Sequence, residues 1–287
     1  MTVLTNKIDF AVVISVNNAN PNGDPLNGNR PRQNYDGHGE ISDVAIKRKI
    51  RNRLQDMGEA IFVQSNDRSD DGLKSLRERA ETNENIKEIL KDKQKTEDDF
   101  AQAACKEWID VRSFGQVFAF KSSGSRGSGV SIGVRGPVSV HTATSIDPID
   151  ITSMQITKSV NTEPGEKRGS DTMGTKHRVD FGVYVFYGSI NTQLAEKTGF
   201  SRDDAEKIKQ ALITLFENDA SSARPEGSME IRKVYWWEHD SKLGQYSSAK
   251  VHRLLKVEAA TDEPSTFEDY SITLELEGLA VEELDGQ

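Results

Sequence analysis

The chain has 287 residues, 35% of them hydrophobic, and a formal net charge of −9. That length accommodates one large domain, or a core domain with sizeable insertions. No apolar run reaches the roughly 18 residues of a membrane-spanning helix, and Met1 to Phe10 lacks the pattern of a secretory signal. The single cysteine, Cys105, excludes an intramolecular disulfide and a zinc site built on several thiolates. A cytoplasmic location is expected.

The acidic sum argues against a nucleic-acid partner, but its distribution does not. Residues 257–287 hold ten acidic side chains and no Lys or Arg, so the remainder carries a net +1. Residues 111–146 hold Arg112, Lys121, Arg126 and Arg135 and no acid, and the segment around Lys47 holds five cations. Local segregation matters more for binding than the sum. Ordinary solvated surface is the competing reading of each patch.

In chain order, Lys7 to Asn17 (KIDFAVVISVN) alternates Ile8, Phe10, Val12, Ile14 and Val16, the period-two signature of a strand. Residues 18–40 are dense in Asn, Gly and Pro and read as a loop, long enough to carry function. Ser42 is a candidate N-cap for an amphipathic helix over 42–57, with Ile46, Ile50, Leu54 and Met57 as its apolar stripe. On a helical wheel Lys47, Arg48 and Arg51 share one flank of that stripe, and Lys49 and Arg53 the other. Gly58 helps to end the helix. Residues 64–107 are polar and highly charged and read as a peripheral helical insertion outside the core. A helix over 98–108 there buries Phe100, Ala103, Ala104 and Trp108. Residues 111–120 (VRSFGQVFAF) return to strand, a Gly/Ser turn follows, and the chain then resumes β character to Ile146. Further strands are expected over 154–160, 178–187, 229–237 and 270–276. Ser201 caps a helix running to about residue 218, and the polar, glycine-rich 161–177 reads as the tip of a long hairpin or a disordered flap. Without insertions the order is strand 8–16, helix 42–57, strand 113–120, strand 179–187, helix 201–218, strand 230–237. This βαββαβ order is the ferredoxin-like pattern of an α+β fold, shared with RNA-recognition-motif domains. The fold alone does not set a function.

Enzyme signatures are largely missing. There is no GxxxxGK[ST], HExxH or GxSxG, and His38, His141, His177, His239 and His252 sit in five separate segments without ligand spacing. No metal and no cofactor are expected. The strands lack an RNP-type aromatic motif, so base stacking on the sheet is not expected. A basic helix flank, a Gly/Asn loop offering free N–H groups and arginines at strand ends suit the sugar-phosphate backbone instead. Such contacts hold RNA without reading its sequence.

Several runs in fixed order carry a resemblance: ANPNGDPLNGNRPR, ISDVAIKRKIR, DVRSFGQVFAF, RGPVSVH with SIDPI, TGFSRDD and NDASSAR. Together they closely resemble the backbone-subunit family of type I-C CRISPR Cascade complexes, a branch of the Cas-seven family in the RAMP superfamily. The resemblance covers about residues 8–256. It implies an RRM-like palm (1–63 and 108–256), helical fingers, assigned to 64–107, and a β-hairpin thumb (about 155–178); the 64–107 insertion and the acidic C-terminal segment (257–287), which ends in a strand, carry no motif of the family. It implies a non-catalytic subunit that polymerises head to tail along CRISPR RNA, presents the spacer for pairing with target DNA and meets other Cascade subunits, with no membrane. Carried over residue by residue, Ser42, Lys47 and Arg51, with Arg48 beside them, hold phosphates. Asn20, Asn22, Gly23, Arg30 and Arg32 lie in the loop beside the RNA, and Arg112, Phe114 and Gly115 match a further motif. Lys121, Arg126, Arg135, Lys158, Lys167, Arg168 and Arg178 complete the expected RNA-contacting set.

Two rivals stand beside this reading. Type III relatives cut bound RNA with an acidic residue in an early loop, and Asp24 in NPNGDP could serve a metal-dependent endoribonuclease in that way. A lone carboxylate binds Mg²⁺ poorly, and Asp before Pro is as readily a turn residue. The other rival is a structural protein whose basic helix docks on an acidic partner.

Overall fold

The computed structural model describes residues 2–69, 71–92, 94–120, 130–157, 173–274 and 278–287. Strand β1 (Ile8–Ala19) forms where the sequence alternates. The loop after it folds back as two short strands, β2 (Gly23–Asp24) and β3 (Arg30–Pro31), which pair with each other, and leads to β4 (His38–Ile41). Ser42 caps α1 (Asp43–Asp56), its hydroxyl accepting from the Ala45 N–H at 3.3 Å. The insertion contains α2 (Leu76–Thr82), α3 (Glu84–Lys91) and α4 (Glu97–Glu107), each started by a side-chain cap. Then come α5 (Ile109–Phe114), β5 (Gly115–Phe120), β6 (Val130–Arg135), β7 (Val138–Val140), β8 (Ala143–Pro148), β9 (Ile151–Thr157) and the 18-residue β10 (Met173–Ile190). The chain closes with α6 (Thr192–Thr198), α7 (Arg202–Ile213), β11 (Met229–Glu238), α8 (Ser248–His252), β12 (Leu255–Ala259), β13 (Tyr270–Leu274) and β14 (Glu282–Asp285).

The central antiparallel sheet runs β14-β11-β1-β10-β8-β4, with β7 and β9 also pairing β10. In β1 the alternate residues serve two cores. Phe10, Val12 and Ile14 face α1 and α7, packing with Ile46, Ile50, Leu54, Ile208 and Leu212. Ala11 and Val13 face the other way, with Val183, Val185, Tyr235 and Trp237, under Val251, Leu255, Val257 and Leu279 of the C-terminal region. The acidic C-terminal stretch therefore carries an apolar inner side. β12 and β13 pair as a hairpin over this second face, and β14 extends the sheet at its β11 edge. A sheet covered on both faces buries nearly every position of its central strands, as β1 shows.

Two expectations are corrected. The strand expected over 113–120 begins only at Gly115: residues 109–114 are helix α5, and β5 pairs with β6 in a separate two-stranded sheet. β10 instead pairs with β7, β8 and β9. Alternation identifies a strand but not its neighbour, and 138–148 is the weaker pattern of the two. The insertion does bury Phe100, Ala104 and Trp108, as expected of the helix over 98–108. Phe62, Ala80, Ile86, Phe100, Trp108, Val111 and Phe118 form an apolar cluster of their own, with Phe62 against Trp108 at 4.6 Å and Phe118 at 5.1 Å between ring centroids. Helix α7 also stops at Ile213, short of residue 218. The thumb expected at about 155–178 falls on the β9–β10 pair, where Thr157 lies opposite Met173, and on residues 158–172, outside the described residues. Lys121, Arg126, Lys158, Lys167 and Arg168 also lie outside them. No helix among the described residues is long and apolar enough to cross a membrane.

Candidate nucleic-acid interface

The five cations of α1 separate by what they touch. Lys49 is buried and forms an ion pair with Asp219, beneath the face of Phe216. Burial, only partly offset by Asp219, brings its ammonium down to about 8. Arg53 pairs with Glu217 at 2.5 Å and donates to the Thr214 hydroxyl. Arg51 donates to Asp110 at 3.0 Å and lies over the Phe114 ring at 5.0 Å. Lys47 makes only a half-exposed i,i+4 pair with Asp43 at 3.0 Å, a contact that contributes little. Arg48 donates to the Val63 carbonyl at 2.6 Å and pairs with no carboxylate among the described residues. Partial burial, then the neighbouring Arg51, lower its proton affinity. Among the described residues, Lys47 is held by a surface pair within its own helix and Arg48 by a backbone carbonyl with no carboxylate in ion-pair contact.

Asp110 organises this flank. It is fully buried and accepts from the Phe62 N–H at 2.7 Å, the Val63 N–H at 3.0 Å and Arg51. One carboxylate thereby fixes Arg51 directly and Arg48 through the Val63 carbonyl. Sequence reasoning missed it, because Asp110 lies 59 residues from Arg51 and has no local signature.

The loop after β1 is braced rather than slack. Asn20 is buried and donates to the Asn29 carbonyl at 2.6 Å, and the Asn22 side chain accepts from the Ser42 N–H at 2.9 Å. Gly23 passes so close to Asn29 that a Cβ would lie 2.0 Å from its Oδ1. Arg32 pairs with Asp24 at 3.4 Å, and Asp24 also caps the turn after it by accepting from the Leu26 N–H. Arg30 donates to the Ser153 hydroxyl of β9 at 3.0 Å and pairs with no carboxylate among the described residues. Between this loop and α1 opens a cleft of about 450 Å³. Asn22, Gly23 and Asn29 line one part of it and Arg48, Lys49 and Asn52 another; Arg68, Asn218, Ser221 and Arg224 also line it, together with the carboxylates Asp67 and Asp219.

Other expected residues lie elsewhere. Arg112 makes a two-pronged contact with Asp204 at 2.7 and 3.1 Å and donates to the Cys105 carbonyl. Asp204 is buried, which raises its carboxyl, but the Arg112 hydrogen bonds and the Ser201 N–H hold it below the ordinary range. Both residues thus tie α5 to the capping box of α7. Phe114 is half-buried under Arg51. Gly115 ends α5 at φ +80°, where a Cβ would lie 2.3 Å from the Val134 carbonyl oxygen. Arg135 is exposed at the end of β6, beside α4 and α6. Arg178 is half-exposed on β10 and pairs with Asp180 at 3.2 Å. The structure therefore brings Asn22, Gly23, Lys49 and Arg48 together, sets Arg30 and Lys47 nearby in sequence on the same loop and helix, and places Arg112, Gly115 and Arg135 away from the cleft.

Comparison with known proteins agrees with this architecture. A chain of a structure described as a CRISPR RNA-guided surveillance complex, pre-nicking, shares the fold with a TM-score of 0.50 at 18% identity. The match covers 80% of this chain and 75% of that one. The CRISPR-associated protein Cas7 of Haloferax volcanii is 28% identical over 274 residues, 90% of this chain and 76% of the relative. The family model described as CRISPR-associated protein Cas7 matches residues 6–275, nearly the whole fold from β1 through β13, and the chain belongs to that family.

Proposed function

We propose that this chain is a non-catalytic backbone subunit of the type I-C kind, gripping CRISPR RNA by its sugar-phosphate backbone and repeating head to tail along it in the cytoplasm. In this reading the spacer bases stay free to pair with target DNA, and other Cascade subunits meet the ends of the array. The sheet with β11-β1-β10-β7/β8 and helices α1 and α7 serves as the RRM-like palm, α2 to α4 as fingers and the β9–β10 arm as the base of the thumb.

One observation carries the reading: a guanidinium in ion-pair contact with no carboxylate among the described residues, Arg48, lines an open polar cleft between a loop and α1, while both faces of the sheet are covered. A covered sheet cannot stack bases as an open RNA-recognition sheet does. A cation held at a cleft rim can still take a phosphate. The endoribonuclease alternative draws no support from Asp24, whose carboxylate is engaged by Arg32 and by the Leu26 N–H.

The test is fluorescence anisotropy of the purified chain on single-stranded RNAs of unrelated sequence, across a range of salt. The expected result is one affinity for all sequences, a steep loss with salt, and RNA left intact in Mg²⁺ or Mn²⁺. Sequence-selective or salt-insensitive binding would sink the backbone-grip reading. Metal-dependent cleavage abolished by Asp24→Ala would establish the ribonuclease.

A further inference from the structure

Two of the sequence runs that mark the family lie outside the expected RNA contacts. TGFSRDD is accounted for by the Ser201 capping box and the Asp204–Arg112 pair. NDASSAR has no such account. It spans Asn218 to Arg224 and contributes Asn218, Asp219, Ala220, Ser221 and Arg224 to the cleft that Arg48 lines.

This turn is firmly set. Ser221 and Arg224 exchange backbone hydrogen bonds at 2.8 and 3.1 Å, and the Ala223 carbonyl accepts from the Asn20 N–H at 2.9 Å. Asp219 pairs with Lys49 and takes the Arg224 Nε at 3.1 Å. Arg224 is thus aimed by its Nε, while its two terminal nitrogens meet no protein acceptor among the described residues. On the α1 side, Asn52 has a buried Oδ1 without a hydrogen-bond partner among the described residues, next to Arg48 in the lining. An acceptor left so is costly unless a ligand completes it.

We propose that this cleft seats one nucleotide of the bound RNA strand, with Arg48 and Arg224 gripping its phosphate from the two walls and Asn52 accepting from its 2′-hydroxyl. The proposal rests on the RNA reading above and adds a second wall and a preference for RNA over DNA. Guanidinium groups suit phosphate oxygens because their fork presents paired donors. The 2′-hydroxyl is the donor that DNA lacks. The volume of about 450 Å³ falls in the range of small-ligand sites.

The experiment compares wild type, Arg224→Gln and Asn52→Leu in anisotropy on a single-stranded RNA and the same-sequence DNA, at several salt concentrations. Arg224→Gln leaves Asp219 paired with Lys49, so the melting temperature serves as a check that the turn is kept. Its expected effect is a roughly three- to tenfold loss on both strands, with the log–log salt slope lower by about 0.7. Asn52→Leu should leave DNA affinity and slope as they are and remove a roughly two- to tenfold preference for RNA, the size of one hydrogen bond. Wild type that binds RNA alongside an unaltered Arg224→Gln overturns the cleft but keeps the backbone-grip reading. An unaltered RNA-to-DNA ratio in Asn52→Leu overturns the sugar contact. Wild type that binds no RNA overturns both proposals.

Discussion

At the scale of single residues, burial separates cations of the same helix. Lys47 and Arg51 stand one turn apart, yet Arg51 is 13% exposed against a fully buried Asp110, whereas Lys47 makes only a surface pair. Lys47→Ala should therefore lower RNA affinity and the salt slope with little change in melting temperature. Arg51→Ala should cost about 3 kcal/mol of stability by leaving Asp110 without its counter-charge. Denaturant unfolding and anisotropy on both variants read this directly, and equal stabilities would show that Arg51 is not a structural cation. Lys49 gives a pH signature. Its folded-state value of about 8 lies below the ordinary lysine value of 10.5, so between those limits the unfolded chain binds more protons. That group's effect on stability must then rise as pH climbs from 8 to 10.5. In Lys49→Met, where Asp219 keeps Arg224, that rise should vanish from melting curves collected over the window. The cation flank was legible in the sequence because helical spacing is local. Which cation is spoken for was not, since the partners Asp110, Asp204 and Asp219 sit 59, 92 and 170 residues away from Arg51, Arg112 and Lys49.

At the scale of elements, amphipathic spacing and caps located α1 and α7 to within a few residues, and alternation located β1, β10 and β11. Alternation failed where pairing mattered: β5 carries the pattern of a core strand but belongs to a hairpin over the insertion's own apolar cluster. The acidic C-terminus misled by composition, because acids on the outer side of a strand hide an inner side that packs. β14 makes the point. Lys233 meets Glu283 at 2.7 Å and Asp285 at 2.8 Å, and the Asp285 hydrogen bond, followed by that of Glu283, holds its ammonium well above the ordinary range. Lys209 likewise meets Glu282 at 2.7 Å. β14 thus covers the backbone edge of β11 from Lys233 to Trp236 and neutralises the cations along it. Deleting residues 282–287 should leave β11 paired with β1 but bare an edge that recruits other strands. Sedimentation velocity should then show association that grows with concentration. A truncated chain that stays monomeric at the wild-type melting temperature would mean that β14 protects nothing.

At the scale of the whole molecule, both faces of the sheet are closed, so the proposed RNA grip falls to loops and a helix flank, which offer each protomer few contacts. A handful of phosphate contacts gives modest affinity at physiological salt, and ordering a flexible strand costs entropy. Protomers that also touch each other convert later contacts into effectively intramolecular ones. The β9–β10 arm has a surface suited to this. Met154 and Ile156 lie on one face of it, opposite Lys176 and Gly174, and are 38% and 50% exposed, an apolar pair held away from either core. An arm that meets a different surface on the next copy makes a contact that does not close on itself, so it generates an open array. The number of protomers bound should therefore climb in equal steps as the RNA lengthens, with each step protecting the same number of nucleotides from nuclease. Met154→Ser with Ile156→Ser should reduce the protomers per long RNA at a given protein concentration. Affinity for an oligonucleotide that holds a single protomer should stay unchanged, because the phosphate grip is elsewhere. Native mass spectrometry on RNAs of graded length, with nuclease footprinting beside it, measures both quantities. One protomer bound at every length with an aperiodic footprint would rule out the array while leaving the backbone grip of each protomer standing. A loss of short-oligonucleotide affinity in the double variant would instead place the arm on the RNA and not between copies.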